Sequence, residues 1–226
     1  MPTWTPRVLD HCTGTVGTPL EDHPPELGGP WAVDVAGVWS IQLNNVGSAY
    51  AASTPWVNPA LARNLTALAD DQAVACVTVD GSGGSGISSK PALGVRCSAA
   101  GNGYAALFHV GVSEIQLYRL DAFVATLLTS APATIVVGDL CRLEIIGPTM
   151  TALLNGVAMV TWTDATYASG QTAILDMLGF QYQMADDFAA YDADGGTPPE
   201  PEPVDAEATD VVVVPAPARI VTVPSR

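Results

Sequence analysis

Apolar and polar positions alternate with a period of two along much of the chain, and the alternating runs are short. Residues 38–43 (VWSIQL) put Val38, Ser40 and Gln42 on one face and Trp39, Ile41 and Leu43 on the other. Residues 73–79 (AVACVTV), 93–97, 104–110, 114–119, 122–128 and 141–146 read as further strands, each bounded by Gly- or Asp-containing turns. The sharpest local signal is Asn155-Gly156 between residues 151–154 and 157–162, because Asn-Gly supplies the positive φ angles of a tight hairpin. A polar loop over 164–170 and strands over 172–177 and 188–191 follow. Residues 58–71 fit two patterns. Asn58-Pro59 with Leu61, Leu65 and Leu68 suits a helix start, while residues 63–68 also alternate, and the segment is read as strand or irregular. With so little helical periodicity, the pattern predicts an all-β sandwich of two antiparallel sheets.

Two stretches break the pattern. Residues 80–90 (DGSGGSGISSK) form a loop by composition; no G-K-[ST] follows, so a phosphate cradle is not indicated. From residue 194 a Pro/acidic linker runs to 209, and residues 210–226 (DVVVVPAPARIVTVPSR) carry two valine-rich runs that each end in Val-Pro. The tail is too small to bury a core alone. Its runs, Val211, Val212, Val213 and Val214, then Arg219, Ile220, Val221 and Val223, either stay disordered or pair with a sheet edge. The organisation predicted is a sandwich over 1–193, a linker over 194–209 and an assembly tail over 210–226.

Charge narrows the function. The chain of 226 residues carries 23 acidic against 8 basic side chains, a net charge of −15, with Lys90 its only lysine. Such a surface repels phosphate backbones, so nucleic acid is not an expected partner. No apolar run approaches the roughly 20 residues of a membrane span, and the first residues lack a basic segment followed by an apolar one, so neither membrane nor signal peptide is expected. Cys12, Cys76, Cys97 and Cys141 form no C-x-x-C pair. They are read as small buried hydrophobes, with Cys76 and Cys97 as possible cross-sheet neighbours able to form a disulfide.

The ends of the sandwich carry a resemblance. A short strand, Asp10, a small-residue loop, a Pro-rich loop and Gly28-Gly29-Pro30-Trp31 open it; L-x-G-x-x-V, then T-D, then Gly and Asp186-Asp187-Phe188 close it. This order resembles the concanavalin A-like (laminin-G-like) jelly-roll family and implies that the last strand returns to pair near the first. The Val-Pro tail is similar to those ending bacteriophage and prophage virion proteins.

The family includes glycoside hydrolases, but hydrolysis needs two carboxyl groups about 5–10 Å apart, and the E-x-D-x-E strand pattern of its laminarinase-like members is absent. No G-x-S-x-G or comparable nucleophile motif surrounds His11, His23 or His109. A non-catalytic role is therefore expected. No cofactor is required, though family lectins hold calcium through about six to eight oxygens, for which Asp164, Asp186 and Asp187 are the main candidates, with Asp10 and Glu21 behind them. Trp31 and Trp39 are read as core anchors over sugar platforms. Trp56, Tyr167, Trp162 and Asn45 are the candidate glycan contacts, with a core alternative for Trp162.

The resulting expectation is a bacteriophage structural protein found in the virion, assembled in the host cytoplasm. Its best form is a capsid decoration or head-surface protein, docked through its tail on the major capsid protein or neighbouring subunits. A homo-oligomer is expected, a trimer being one state that suits symmetric capsid sites. The alternative is a tail- or fibre-associated carbohydrate-binding module recognising a host surface glycan. A cell-associated lectin-like domain without phage origin is the outside reading.

Overall fold

The computed structural model describes residues 4–15, 18–34, 38–42, 46–50, 60–78, 91–109, 112–177 and 183–193. These residues form two antiparallel sheets packed face to face. The first sheet runs, edge to edge, through β13 (Val157–Thr163), β12 (Thr149–Leu154), β11 (Leu140–Ile146), β6 (Gln72–Thr78), β15 (Gln183–Ala193), β4 (Val46–Tyr50) and β3 (Val38–Gln42). β1 (Trp4–Asp10) lies beside the second half of β15, past the point where β4 leaves it. The second sheet runs through β10 (Val124–Pro132), β9 (Glu114–Asp121), β8 (Gly103–His109), β7 (Ala92–Cys97), β14 (Gln171–Asp176), β5 (Ala60–Asn64) and β2 (Trp31–Asp34). Among the described residues the only helical element is one 3-10 turn, Leu20–Asp22.

Chain closure follows the expected plan. β15 pairs antiparallel with β1 from Phe188 opposite Asp10 to Ala193 opposite Trp4. The Asn155-Gly156 hairpin is present, with φ of 51° and 77°, the pair of positive values a type I′ turn requires. Asn155 does more than tolerate that backbone. Its Oδ1 accepts the Leu140 N–H at 2.9 Å and its Nδ2 donates to Asp139 Oδ1 at 2.8 Å, tying the turn to the start of β11.

Within the segment read as strand or irregular, Ala60–Asn64 form a strand, β5, and residues 65–71 are irregular. Asn64 is fully buried, donates to Gly29 O at 2.8 Å and accepts from the Thr66 hydroxyl. The expected strand start at residue 122 is corrected. Ala122 and Phe123 form a two-residue turn with φ of 49° and 64°, held by Phe123 N donating to Gly101 O and Ala122 N donating to Asn102 Oδ1. Phe123 lies over Gly101, where a Cβ would fall 2.3 Å from its ring.

The core between the sheets contains Val8, Trp31, Val74, Leu93, Tyr104, Phe108, Leu117, Leu143, Met150, Ile174 and Phe188. β6 is buried on both faces. Val74 and Cys76 enter this core, while Ala73 and Ala75 pack with Trp4, Ala189 and Tyr191 on the other side. The second sheet also has a buried outer layer, including Leu61, Leu107, Ala173 and Leu175. Gly94 sits within it because a Cβ would lie 2.7 Å from both Cys97 Sγ and Leu175 Cδ1.

All four cysteines are buried and stand outside any disulfide. The expected neighbour relation is corrected: Cys76 lies opposite Cys141 in the first sheet, whereas Cys97 belongs to the second. Burial and then the neighbouring Cys76 thiol hold the Cys141 thiol well above its ordinary pKa, so Cys141 stays a protonated thiol and packs as a small hydrophobe.

Candidate functional site

The loop leaving β13 gathers the densest polar cluster on the rim of the sandwich. Asp164 is its centre. Oδ1 accepts the Thr166 N–H at 2.7 Å, a local turn closed two residues on, and the Tyr104 hydroxyl at 2.9 Å. Oδ2 accepts Arg119 Nη1 at 3.1 Å. Arg119 Nε donates to Asp121 Oδ2 at 2.9 Å, and the Tyr167 hydroxyl donates to Asp121 Oδ1 at 2.5 Å. The Tyr167 N–H returns to the Tyr104 hydroxyl at 3.0 Å, and the two rings meet edge-on with centroids 5.6 Å apart.

Topology explains the convergence. Tyr104 and Arg119 are cross-strand partners on β8 and β9, and both follow the core-facing alternation of their strands to its end. There the core gives way to solvent, and the side chains meet the 164–170 loop crossing from one sheet to the other. Arg119 and Asp121 remain accessible, their side chains 31% and 41% exposed. Nε and Nη1 of Arg119 are engaged, which leaves Nη2 for a further acceptor.

The electrostatics fix the protonation states. Burial alone would raise the Asp164 pKa, but hydrogen bonds from Thr166, Tyr104 and Arg119 outweigh it and hold the carboxyl at about 2. Hydrogen bonds from Tyr167 and then Arg119 lower Asp121. Burial, reinforced by the Asp121 carboxylate, pushes the Tyr167 phenol up to about 12. Two carboxylates, one guanidinium and two neutral phenols are therefore held in fixed directions at neutral pH.

Trp162 stands on β13 two residues before Asp164 and is 41% exposed. It stands opposite buried Met150 in the β12–β13 ladder and belongs to none of the buried core clusters. Tyr167 is partly buried against the core, with its hydroxyl taken by Asp121. The structure thus brings three sequence-derived candidates, Trp162, Asp164 and Tyr167, to one rim. Trp56, Asn45 and the whole tail (Val211, Val212, Val213, Val214, Arg219, Ile220, Val221 and Val223) lie outside the described residues.

The proposed calcium ligands do not assemble. Asp164 is committed to Arg119, Tyr104 and Thr166. Asp186 and Asp187 sit where the register of β15 breaks, with His11 Nε2 4.0 Å from Asp187 Oδ1. Asp10, opposite Phe188 on β1, is buried with its oxygens already engaged, accepting Cys12 N at 2.7 Å and Trp31 Nε1 at 2.7 Å, with His23 Nε2 at 2.8 Å. No group of three or more His, Cys, Asp or Glu among the described residues is arranged to hold a metal ion. Trp31 is the core anchor its sequence context suggested, and its indole N–H has a buried partner. Sequence reading missed Arg119, Asp121 and Tyr104. Their bonds to the loop span 45, 46 and 60 residues.

No protein-family model and no curated protein matches the sequence. Solved structures do match in shape. A carbohydrate-binding module (CBM66) from Bacillus subtilis superposes with a TM-score of 0.52 at 17% identity, over 75% of this chain and 96% of that one. A Bacillus subtilis protein of unknown function with a galectin-like fold gives 0.52 at 11% identity, over 71% and 88%. The fold is a concanavalin A-like jelly roll. At these identities the likeness establishes the architecture and nothing finer.

Proposed function

We propose that this chain is a non-catalytic carbohydrate-binding module whose sugar contact is the rim formed by Trp162, Arg119, Asp121 and Tyr167. The observation that carries the reading is the exposed indole on the same rim as a prearranged guanidinium–carboxylate pair. An indole face stacks on the C–H face of a pyranose or furanose ring, and Arg and Asp groups with spare donors and acceptors bind vicinal hydroxyls. Their mutual hydrogen bonds reduce the ordering that binding would otherwise cost. The architecture shared with a carbohydrate-binding module supports the same reading.

At this rim the electrostatics favour binding over hydrolysis. A glycosidase needs one carboxyl group held protonated near neutral pH as the general acid. Here Asp164 is held at about 2 and Asp121 is also lowered, so neither can serve as a proton donor. Assignment to a virion tail or fibre, where such a module would meet a host glycan, belongs to this proposal through the tail's resemblance to virion proteins. The head-decoration alternative rests on that tail alone and ranks behind it.

The test is a glycan array followed by calorimetry on the strongest hit. Wild-type protein should bind, and Trp162→Ala and Arg119→Ala should each weaken binding at least about 10-fold with melting temperature nearly unchanged. Undiminished binding by both variants would remove the site. Absence of any hit among glycans of bacterial surfaces would remove the function.

A further inference from the structure

β13 is an edge strand of an unusual kind. Its sequence, VAMVTWT, has no charge, proline or glycine, and among the described residues its only strand partner is β12. Val157 and Trp162 on it are 61% and 41% exposed. Open edges of this sort invite another strand, and proteins ordinarily guard them with lysine, proline or inward charge. Here none of those guards is present, in a chain that carries 23 acidic residues.

The chain itself holds a matching segment. Residues 211–214 are four consecutive valines followed by Pro215, which cannot donate to a ladder and so ends the run. On β13, residues 160–163 keep an unbroken register against β12, from Val160 opposite Ala152 to Thr163 opposite Thr149; the shift in register falls before them. The acceptor stretch and the valine run are equal in length and both uncharged.

Position and direction agree as well. Ala193, the end of β15, donates its N–H to Asp71 O at 3.1 Å; Asp71 Oδ1 accepts Gly147 N at 2.7 Å; and Asp164 N donates to Pro148 O at 2.9 Å. These contacts place the end of β15 and the end of β13 at the same end of the first sheet. A strand added outside β13 lies five strand spacings, roughly 24 Å, from β15. The linker over 194–210 spans roughly 23 Å as a flexible coil and about 50 Å fully extended as a Pro-rich segment. A segment arriving from that end runs antiparallel to β13, the direction in which ladder bonds lie perpendicular to the strands and pairing is slightly more stable per residue. β10, the corresponding edge of the second sheet, has its register broken in mid-strand between Leu127 and Thr129 and belongs to the sheet that β15 does not join.

We propose that the valine run over residues 211–214 adds to the first sheet as an antiparallel strand along residues 160–163 of β13, within the same chain. Tethering by a linker of this length gives an effective concentration on the order of millimolar, above that of any second copy in dilute solution. The inference is independent of the carbohydrate reading.

Hydrogen exchange read by mass spectrometry tests it on the full chain, comparing wild type with Val212→Asp/Val213→Pro over a range of protein concentrations, with mass followed by light scattering. In the wild type, the outward amides of residues 160–163 should exchange at least about 10-fold more slowly than in the variant, at every concentration and at monomer mass. Equal exchange in the two proteins overturns the proposal. Protection on β10 or β3 in place of β13 overturns the assigned edge. Protection that grows with concentration alongside a dimer mass overturns the intramolecular arrangement and puts the tail on a second copy.

Discussion

Two carboxylates in this molecule are wired almost identically and end in different roles. Asp10 accepts the backbone N–H of Cys12 two residues on and an aromatic donor, Trp31 Nε1, and stands beside an imidazole, His23. Asp164 accepts the backbone N–H of Thr166 two residues on, an aromatic donor, the Tyr104 hydroxyl, and a guanidinium, Arg119. Asp10 is 1% exposed and stands opposite Phe188 in the β1–β15 ladder, and the Phe188 ring meets Trp31 edge-on at 4.9 Å. It closes the junction of β1, the Gly28-Gly29-Pro30-Trp31 segment and β15, and has nothing left to offer a ligand. The Asp164 cluster continues outward through Arg119 and Asp121 to solvent. The same three kinds of partner make an internal brace in one place and a presentable surface in the other, and burial decides between them.

The sharpest way to break this comparison is to remove each carboxylate. Asp10→Ala strands three buried groups without an acceptor, and unfolding experiments in urea should show a loss of about 3–5 kcal/mol. Asp164→Ala leaves partners that can turn partly to water, and the expected loss is about 1–2 kcal/mol. Equal losses would mean that the two networks are both structural braces. A finer version keeps the shapes. Trp162→Ala and Arg119→Ala should reduce sugar binding at least about 10-fold while barely moving the melting temperature. Trp31→Phe, which removes only a buried N–H and some ring area, should lower stability by about 1–3 kcal/mol and leave sugar affinity in the surviving folded protein intact.

Legibility in the sequence followed the range of the interactions. The Asn155-Gly156 hairpin was readable because two adjacent residues dictate it. The return of β15 to β1 came from the order of Asp186-Asp187-Phe188 after the Gly-Gly-Pro-Trp opening. Ala122-Phe123 was misread as the start of a strand, because its positive φ values depend on Gly101 and Asn102 accepting hydrogen bonds from some 20 residues away. Residues 73–79 were read as a strand with Ala73 and Ala75 in phase, and these two do share a face; which face meets the central core was not readable because both are buried. For the same reason its cysteine carried no sign of which strand it would face. At the rim, Trp162, Asp164 and Tyr167 were nominated for glycan or calcium contact from residue type and proximity to a loop. Arg119 and Asp121 are a common i, i+2 pair on an amphipathic strand, and nothing local marks them as that loop's partners.

The comparison can also be sharpened by pH. Asp164 is held at about 2 in the folded protein against an ordinary value near 3.9. Its contribution to stability is therefore complete above about pH 4 and is lost as pH falls through 2. Near the buried brace the sign reverses. Burial, then the charge of Asp187, raises Asp186 to about 7, with Asp10 adding to the repulsion and His11 opposing it. A raised carboxyl favours the folded state fully below its unfolded value, and that advantage disappears as pH rises from about 4 through 7. Melting temperature measured from pH 2 to 8 should thus decline on both sides of a maximum near pH 4. Asp186→Asn should flatten the upper limb alone, and Asp164→Asn the lower limb alone. If Asp164→Asn flattened the upper limb instead, the rim carboxylate would not be the pre-ionised group that sugar recognition at Arg119 and Asp121 requires.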